Sequence, residues 1–568
     1  MDDLPTSGVN KGKYVLLIFI LTAFISGLLF RIYYAFYQGI YVDEAAWLPI
    51  SVRYFEAFFR VPQNLSELGG NALNPGLLPL TFGIIGFIST GFKLPNVVLY
   101  SNLLNYVPQA YLLDERLGLI ILNTILIIPL VIWLYKKSQI APFLFLILYW
   151  LNPTIIMDTT LMLPTSVSLP LTLLFYLMIM RSKLTLGKYG IISAILFGLM
   201  MSTQYYEIAF IILPILYYVF SFKSVKFGAF VKFFFLFLVI SVLIFISLNP
   251  PFWHSPLGYL RLVLENTGFV SSTSSGVGGI PVIWLGSVTY LTPMYSIIVE
   301  FLLETPLIDL FLFAVAAVLS SVILYHTAWS RTFKNNELTT LALISFASFF
   351  VILGFAMSFP LFHGAVFLLI LPVSLFVTVL GIDFSSDTSQ NKPNLRGQNH
   401  HPIKEDDSAN ATKLSRDGRL IAVALLVIIL FAALVPAIES SNSLPVYTNI
   451  VGDELGYGSG RLDGAWNSVQ SDMYVSKYVF NHHLENLTIL SLALTAMVMY
   501  YAPSNHYIQI WGKINASTLT EYHKGDLIVV DEWYAELWGN PVFEAPEDFN
   551  ILYISYVNGG YSVLAEIK

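Results

Sequence analysis

The chain has 568 residues, of which 56% are hydrophobic and only 11% are charged. Since a soluble domain carries about 25% charged residues, this composition excludes a soluble enzyme and a disordered scaffold and indicates a protein that crosses the membrane many times. The net charge of -7 argues against a nucleic-acid partner, and the absence of cysteine excludes thiol catalysis, disulfides and thiolate metal sites.

Thirteen apolar runs are candidate membrane spans, near 14–30, 76–92, 117–135, 140–156, 165–180, 188–202, 206–221, 226–247, 286–303, 306–328, 338–358, 363–382 and 420–439. If all of them crossed, three short basic loops would lie outside, although such loops prefer the cytoplasm. If 76–92 and 286–303 lie on the outer surface instead, every basic cluster becomes cytoplasmic. The sequence therefore predicts about eleven transmembrane helices, a cytoplasmic N-terminus and an extracytoplasmic C-terminus.

This topology divides the chain into four parts. They are a transmembrane module at 1–382 with outer loops at 31–116 and 249–305, a cytoplasmic linker at 383–418, a last span at 419–439, and an outer region at 440–568. In the outer region, the patterns predict a helix at 471–482 and strands at 487–492, 507–511, 526–531, 551–557 and 561–567. We therefore expect a small α/β domain that folds alone and contributes acceptor binding or shielding rather than chemistry.

Two adjacent carboxylates, Asp43 and Glu44, follow the first span at the outer membrane surface, and a helix is predicted at about 45–60. In one interpretation Asp43 caps this helix and Glu44 lies in its first turn, where the helix dipole favours an anion. In the other, a carboxylate at a partly dry interface has its pKa raised toward neutrality, so that it can act as a general base. The two interpretations are compatible.

Other polar residues occur at the predicted outer ends of spans or in outer segments. They are Asn74, Arg116, Asp158, Gln204, Glu207, His254 and His363. Ionisable residues at such levels are costly and tend to be functional. For Glu207, His254 and His363, an ordinary helix-end or solvated side chain is the alternative.

The order of these residues resembles the GT-C superfamily of membrane glycosyltransferases, which includes protein O-mannosyltransferases and aminoarabinose transferases. The resemblance covers about 31–380. It rests on Asp43–Glu44 after the first span, Asn74–Leu80 in place of a His-Pro-Pro-Leu-like segment, Arg116–Leu117 before the second span, and Thr292–Tyr295 with Glu304–Pro306, similar to a P-x-Y … T-P surface helix. It implies an inverting transfer of a sugar from a polyprenyl phosphate to a protein, lipid or glycan acceptor on the outer face.

The resemblance also implies roles for individual residues. Asp43 matches the base, Glu44 would orient it or assist the acceptor, and Arg116 would bind two oxygens of the donor's phosphate. Asp158 matches a second acid of the site, and the remaining polar residues would contribute to substrate binding. The sequence leaves open whether Asp43, Glu44 and Asp158 hold a divalent metal ion.

The chain departs from the family pattern at three places. Asn74 stands where the family often has His, Gln204 where it often has Lys, and the segment around His363 where many relatives carry Arg-Tyr. A catalytically silent relative that acts in cell-surface glycan assembly is therefore the alternative. A lipid or solute transporter is less favoured, because the sequence shows neither an inverted repeat nor charges at mid-membrane depth.

Overall fold

The computed structural model describes residues 11–37, 42–60, 76–92, 98–99, 105–106, 109–137, 141–203, 205–221, 225–258, 260–261, 282–284, 287–289, 466–493, 498–499, 501–510, 514, 522–557 and 560–568. The four predicted spans after 305, the linker at 383–418 and the residues Asn74, Gln204 and His363 lie outside this part of the chain.

The N-terminal half is helical, as its apolar runs predict. Its helices are α1 Lys11–Tyr37, α2 Val42–Phe59, α3 Leu77–Ser89, α4 Gln109–Lys137, α5 Ala141–Phe145, α6 Pro153–Thr160, α7 Pro164–Ser182, α8 Lys188–Met201, α9 Ile212–Ser221, α10 Phe227–Leu248 and α11 Pro251–His254, with a π-helical turn at Leu146–Trp150 and a 3-10 helix at Tyr205–Ile211. Short antiparallel strand pairs are β1 Val98–Leu99 with β2 Asn105–Tyr106, and β3 Val282–Trp284 with β4 Ser287–Thr289.

Within the described residues, four stretches are long and apolar enough to cross a membrane, namely Leu16–Phe36, Tyr111–Lys136, Pro164–Ser182 and Phe227–Leu248. They make the chain a helical membrane protein. The total of eleven spans and their orientation stay predictions. At a rise of 1.5 Å per residue, the 13 residues of α3 extend about 20 Å, short of the roughly 30 Å of a bilayer core.

Two predicted spans differ from the expected form. The run at 140–156 is not one helix, because α5 passes into the π-helical turn and a new helix, α6, begins at Pro153. Proline has no amide hydrogen and is favoured at the first position of a helix, and the Asn152 side chain accepts a hydrogen bond from the Ile155 amide at 3.3 Å. The run at 188–202 forms α8, which has only 14 residues.

The surface helix predicted at 45–60 begins earlier than expected. Helix α2 starts at Val42, so Asp43 is its second residue rather than its N-cap. The capping interpretation of Asp43 is therefore wrong in detail. Both Asp43 and Glu44 still lie in the first turn, where the positive end of the helix dipole favours a carboxylate.

Helix α3 packs tightly between α2 and α4 because it presents glycines to both neighbours. A Cβ atom at Gly83 would lie 2.5 Å from the Ser51 carbonyl oxygen of α2. A Cβ atom at Gly86 would collide with the Tyr111 hydroxyl and the Glu115 carboxyl group of α4. These contacts hold the start of the first outer loop against the span that carries Arg116.

The C-terminal part forms an α/β unit whose five strands and first helix lie close to the predicted positions, and it adds two short helices and a 3-10 turn that the patterns do not predict. Its elements are α12 Trp466–Asn481, β5 Thr488–Leu492, β6 His506–Gln509, β7 Leu527–Asp531, α13 Glu532–Trp538, α14 Pro541–Glu544, a 3-10 turn at Pro546–Asp548, β8 Phe549–Val557 and β9 Gly560–Ile567. The sheet order is β6-β5-β7-β9-β8, with β5 parallel to β6 and β7, and β9 antiparallel to β7 and β8.

Both faces of this sheet are buried. Because successive strand residues point to opposite faces, Ile489 and Val529 join Val475 of α12 in one apolar cluster. Leu490 and Val530 join a second cluster with Tyr534 of α13 and Val542 of α14. The outer region thus has a core of its own, which the described residues from Trp466 onward supply.

Candidate active site

A buried ion pair joins helix α2 to the long helix α4. The Arg116 guanidinium of α4 donates to both carboxylate oxygens of Glu44 in α2, from Nε to Oε1 at 2.9 Å and from Nη2 to Oε2. Both side chains are almost completely buried. A two-point contact of this kind fixes the relative orientation of the groups as well as neutralising their charges.

Further hydrogen bonds connect this pair to two more elements. The Met162 amide, in the turn between α6 and α7, donates to Glu44 Oε1 at 3.0 Å. Arg116 Nη1 donates to the Ala35 carbonyl oxygen at 3.1 Å, near the end of α1. Four segments that are distant in sequence therefore meet at one charged contact. The first turn of α2 is therefore held through Glu44 by α4 and by the turn at Met162.

This geometry gives Arg116 a partner that the sequence does not predict. The sequence resemblance implies that two of its nitrogens bind a donor phosphate, but Nε and Nη2 are already bound to Glu44. The third nitrogen, Nη1, donates to the Ala35 carbonyl oxygen. In this structure Arg116 is thus a partner of Glu44, whose oxygens receive three hydrogen bonds from Arg116 and the Met162 amide. A contact of Arg116 with a donor phosphate stays a prediction.

No protein-family model matches this chain, and no curated protein matches it. Among solved structures, the chain is similar to a crystal structure of ArnT from Cupriavidus metallidurans bound to undecaprenyl phosphate, with 11% sequence identity and a TM-score of 0.48. The alignment covers 96% of this chain and 97% of the ArnT chain. A likeness at this level assigns neither an activity nor a ligand to the chain.

Glu207 lies in the 3-10 helix and is fully buried. The Thr172 hydroxyl of α7 donates to its Oε2 atom at 3.3 Å. Glu207 therefore lies in the first turn of a helix, as the helix-end interpretation expects, and it is buried rather than solvated. Its described hydrogen bond attaches the 3-10 helix to α7, and a role in substrate binding stays a prediction.

The other predicted site residues are described only in part. Asp43 is in α2, Asp158 in α6 and His254 in α11, but their side chains fall outside the described part of the structure. Within the described residues, no group of three His, Cys, Asp or Glu side chains could hold a metal ion. This finding does not test the possible metal set of Asp43, Glu44 and Asp158, because the side chains of Asp43 and Asp158 lie outside the described part of the structure.

A second buried arginine, Arg31, has no role in the sequence interpretation. Its guanidinium donates to the Thr159 hydroxyl at 3.1 Å and to the Gly27 and Trp150 carbonyl oxygens at 3.1 and 2.6 Å. It also lies 3.7 Å above the centre of the Trp150 ring. The one signal in the sequence is a lone charge near the end of a long apolar helix. Carbonyl dipoles and an aromatic face thus hold this cation where the π-helical turn meets α1.

Asn249, at the end of α10, fixes the segment that enters α3. Its Oδ1 atom accepts the Gly76 amide hydrogen at 2.6 Å, and its amide nitrogen donates to the Phe245 carbonyl oxygen at 2.6 Å. The Leu77 amide also donates to the Ser202 carbonyl oxygen at 3.0 Å. A Cβ atom at Gly76 would collide with the Leu248 carbonyl oxygen. The chain directly after Asn74 is therefore anchored by two later helices.

Proposed function

We propose that the protein is an inverting glycosyltransferase. It moves a sugar from a polyprenyl-phosphate donor to a glycan, lipid or protein acceptor on the outer face of the membrane. The observation that carries this proposal is the buried Glu44–Arg116 pair, because it fixes the first turn of α2, with its adjacent Asp43, directly after a membrane span. The order of residues that resembles the GT-C superfamily supports the same reaction.

The proposed chemistry needs one base and one stabilised anion. Asp43 accepts the proton of the acceptor hydroxyl while that oxygen attacks the anomeric carbon of the sugar from the side opposite the phosphate. The bond between the anomeric carbon and the phosphate oxygen breaks, and the polyprenyl phosphate leaves with the electron pair. Since a phosphate is stable as an anion, the reaction needs no general acid.

Glu44 and Arg116 serve this reaction by positioning. Glu44 is occupied by three donors, whereas successive residues of a helix lie about 100° apart around its axis. The carboxylate at position 44 can therefore bind Arg116 and Met162, while a base at position 43, on another side of the helix, can contact the substrate. Arg116 acts through Glu44, so we expect its loss to affect the turnover rate at least as much as the affinity for the donor.

The proposal is tested by Asp43→Asn in purified protein with a panel of undecaprenyl-phosphate-linked sugars, with and without a chelator. Asparagine is close in size and keeps a polar group in the first turn, but it cannot accept the proton. Transfer should fall by roughly 10²–10⁴-fold, the usual share of general-base catalysis. The thermal unfolding temperature should stay at the parental value.

Glu56→Gln is the matched control, because Glu56 is a half-buried carboxylate of the same helix. It should leave transfer within about twofold of the parental rate, as surface-type substitutions usually do. An Asp43→Asn protein that transfers sugar at the parental rate would refute the assignment of the base. A parental protein that transfers none of the sugars would favour the silent assembly factor.

A further inference from the structure

The outer α/β unit contacts the membrane helices through residues that do not belong to its own core. Met473 of α12 is only 4% exposed and lies in the large apolar cluster that includes Trp47 of α2 and Tyr111 of α4. Tyr501 packs against the same cluster. The other fully buried apolar side chains of the unit form the two clusters around its sheet. Met473 and Tyr501 therefore mark a contact surface with the membrane module.

The outer unit holds Tyr501 in a defined position. The Tyr501 amide donates to the Ser476 hydroxyl of α12 at 2.9 Å, and the Lys477 ammonium lies 5.8 Å from the centre of its ring. The next residue, Ala502, is buried in the apolar cluster that α12 forms with one face of the sheet. The backbone of Tyr501 thus belongs to the outer unit, while its ring packs on the membrane module.

The phenol of Tyr501 lies close to the buried ion pair. Burial raises the pKa of Tyr501, the Arg116 guanidinium acts in the opposite direction and lowers it, and Tyr474 adds a smaller upward effect. The phenol therefore lies within electrostatic range of Arg116, and its ring packs on the apolar cluster that contains Trp47 of α2 and Tyr111 of α4, the helices that carry Glu44 and Arg116.

We propose that Tyr501 is a positioning residue of the active site, seated by the outer unit against Arg116 so that the Glu44–Arg116 pair is closed from the outer side. This inference rests on the proposed function. A phenol can both donate and accept a hydrogen bond, and it restricts the motion of the guanidinium that aligns Glu44. The outer unit is then a working part of the catalytic site, and not only a surface for the acceptor.

The seating of the outer unit can be measured without any sugar transfer. Since the chain contains no cysteine, Met473→Cys and Tyr474→Cys each create a single thiol on adjacent residues of α12. Tyr474 is 36% exposed whereas Met473 is buried on the membrane module. With a membrane-impermeant maleimide and the full-length protein, position 473 should react at least about tenfold more slowly than position 474. Equal labelling rates would overturn the proposal.

The positioning role requires a kinetic readout. We expect Tyr501→Phe to lower kcat by about tenfold, with little change in the KM for the acceptor. The matched control is Tyr556→Phe, because Tyr556 lies in the same unit and is 74% exposed; it should keep the parental kcat. If Tyr501 acts through Arg116, the fold-loss in kcat of the double variant Tyr501→Phe/Arg116→Lys should be smaller than the product of the two single losses, as expected for residues in contact.

Two kinetic outcomes would overturn the positioning role. One is a Tyr501→Phe protein with the kcat of Tyr556→Phe, and the other is a fully multiplicative double variant. Failure of the proposed function looks different, since the parental protein would then transfer no sugar. Slow labelling at position 473 in such a protein would still support the seating of the outer unit beside Arg116.

Discussion

The membrane module and the outer unit each bury a carboxylate completely, and they treat its charge in opposite ways. In the membrane module, Glu44 is bound by the Arg116 guanidinium and the Met162 amide. In the outer unit, Asp531 ends β7, and its Oδ1 atom caps α13 by accepting the Tyr534 amide hydrogen at 2.7 Å. Burial raises the pKa of Asp531 to about 7, and the neighbouring Glu532 adds to the increase.

The difference follows from the partner that each fold supplies. A cation on an adjacent helix compensates for lost hydration, so that a buried acid can keep its charge. A single backbone amide compensates only in part, and the acid then binds a proton near neutral pH instead. The comparison shows that Glu44 has a cation as its partner, whereas the outer unit carries a buried carboxyl group whose pKa is raised to about 7.

The largest effect is expected from Arg116→Met, which removes the cation and leaves the Glu44 charge buried. Loss of one partner of a buried pair costs about 3–5 kcal/mol. We expect a lower thermal unfolding temperature for the full-length protein in detergent, together with loss of sugar transfer. An unfolding temperature equal to that of the parental protein would show that Glu44 does not depend on Arg116 for its burial.

The double variant Glu44→Gln/Arg116→Met provides the control for this prediction. It removes both charges at once, and replacing both partners of a buried pair is often close to neutral for stability. Thermal unfolding should therefore recover most of the loss, to within about 1–2 kcal/mol of the parental protein, although transfer stays low. A double variant no more stable than Arg116→Met would assign the loss to packing rather than to charge.

A smaller effect of opposite sign is expected from Asp531→Asn in the outer unit. The pKa of Asp531 is raised from its ordinary value of 3.8 to about 7, so the folded state binds the proton more tightly than the unfolded state. The stability that this group contributes is therefore highest at acid pH, decreases as the pH rises from about 4 to 7, and stays low above that range. Asparagine keeps the cap and removes the charge.

Asp531→Asn should thus stabilise the outer unit at pH 8 by up to about 4 kcal/mol, with a smaller gain at pH 5. Hydrogen–deuterium exchange of β7 and β9 in the full-length protein can measure this gain against the parental chain at each pH. Asp548→Asn is the matched control, since Asp548 is an exposed acid of the same unit, and it should not change exchange in these strands. Faster exchange in Asp531→Asn at pH 8 would contradict a buried, titrating carboxylate.

The smallest effect is expected for a buried polar group that is neutral, because it involves no charge at all. Asn249→Ala removes the acceptor of the Gly76 amide hydrogen and should cost about 1–2 kcal/mol, the range for an unsatisfied buried donor. The loss in thermal unfolding should be equal at pH 5 and pH 8. A loss that changes with pH would place a titrating group at this contact, contrary to the structure.

Much of the chain's local structure follows from the spacing of its hydrophobic residues, which repeat every two residues in strands and every three to four residues in helices. The strands β5, β7, β8 and β9 lie at the predicted positions, because alternation and β-branched residues mark half-buried or buried strands. The breaks within the predicted span at 140–156 were less accessible to such reasoning. Apolar composition is the same on both sides of Asn152, and Pro153 alone does not reveal a π-helical turn.

The candidate site was predictable in its residue types but not in its pairings. Asp43, Glu44 and Arg116 stand out in the sequence as charges at the ends of apolar runs. Three further statements remain predictions from the same sequence: the total of eleven spans, the domain limits at 382, 418 and 439, and the glycosyltransferase activity. The pairing of Arg116 with Glu44 could not be read from the sequence, because an arginine can bind a carboxylate or a phosphate with two hydrogen bonds and the sequence does not show which anion lies beside it.

By itself, the sequence determined that this chain is a helical membrane protein with an α/β unit at its C-terminal end, and that its few charges gather near the ends of spans. Composition and periodicity report burial in lipid or in a sheet, and they act over a few residues. Only the tertiary structure decided which charges meet. Glu44 and Arg116 are separated by 72 positions, and Met473 and Tyr501 pack on the membrane helices from another unit, so these contacts depend on how the helices and the sheet pack in three dimensions.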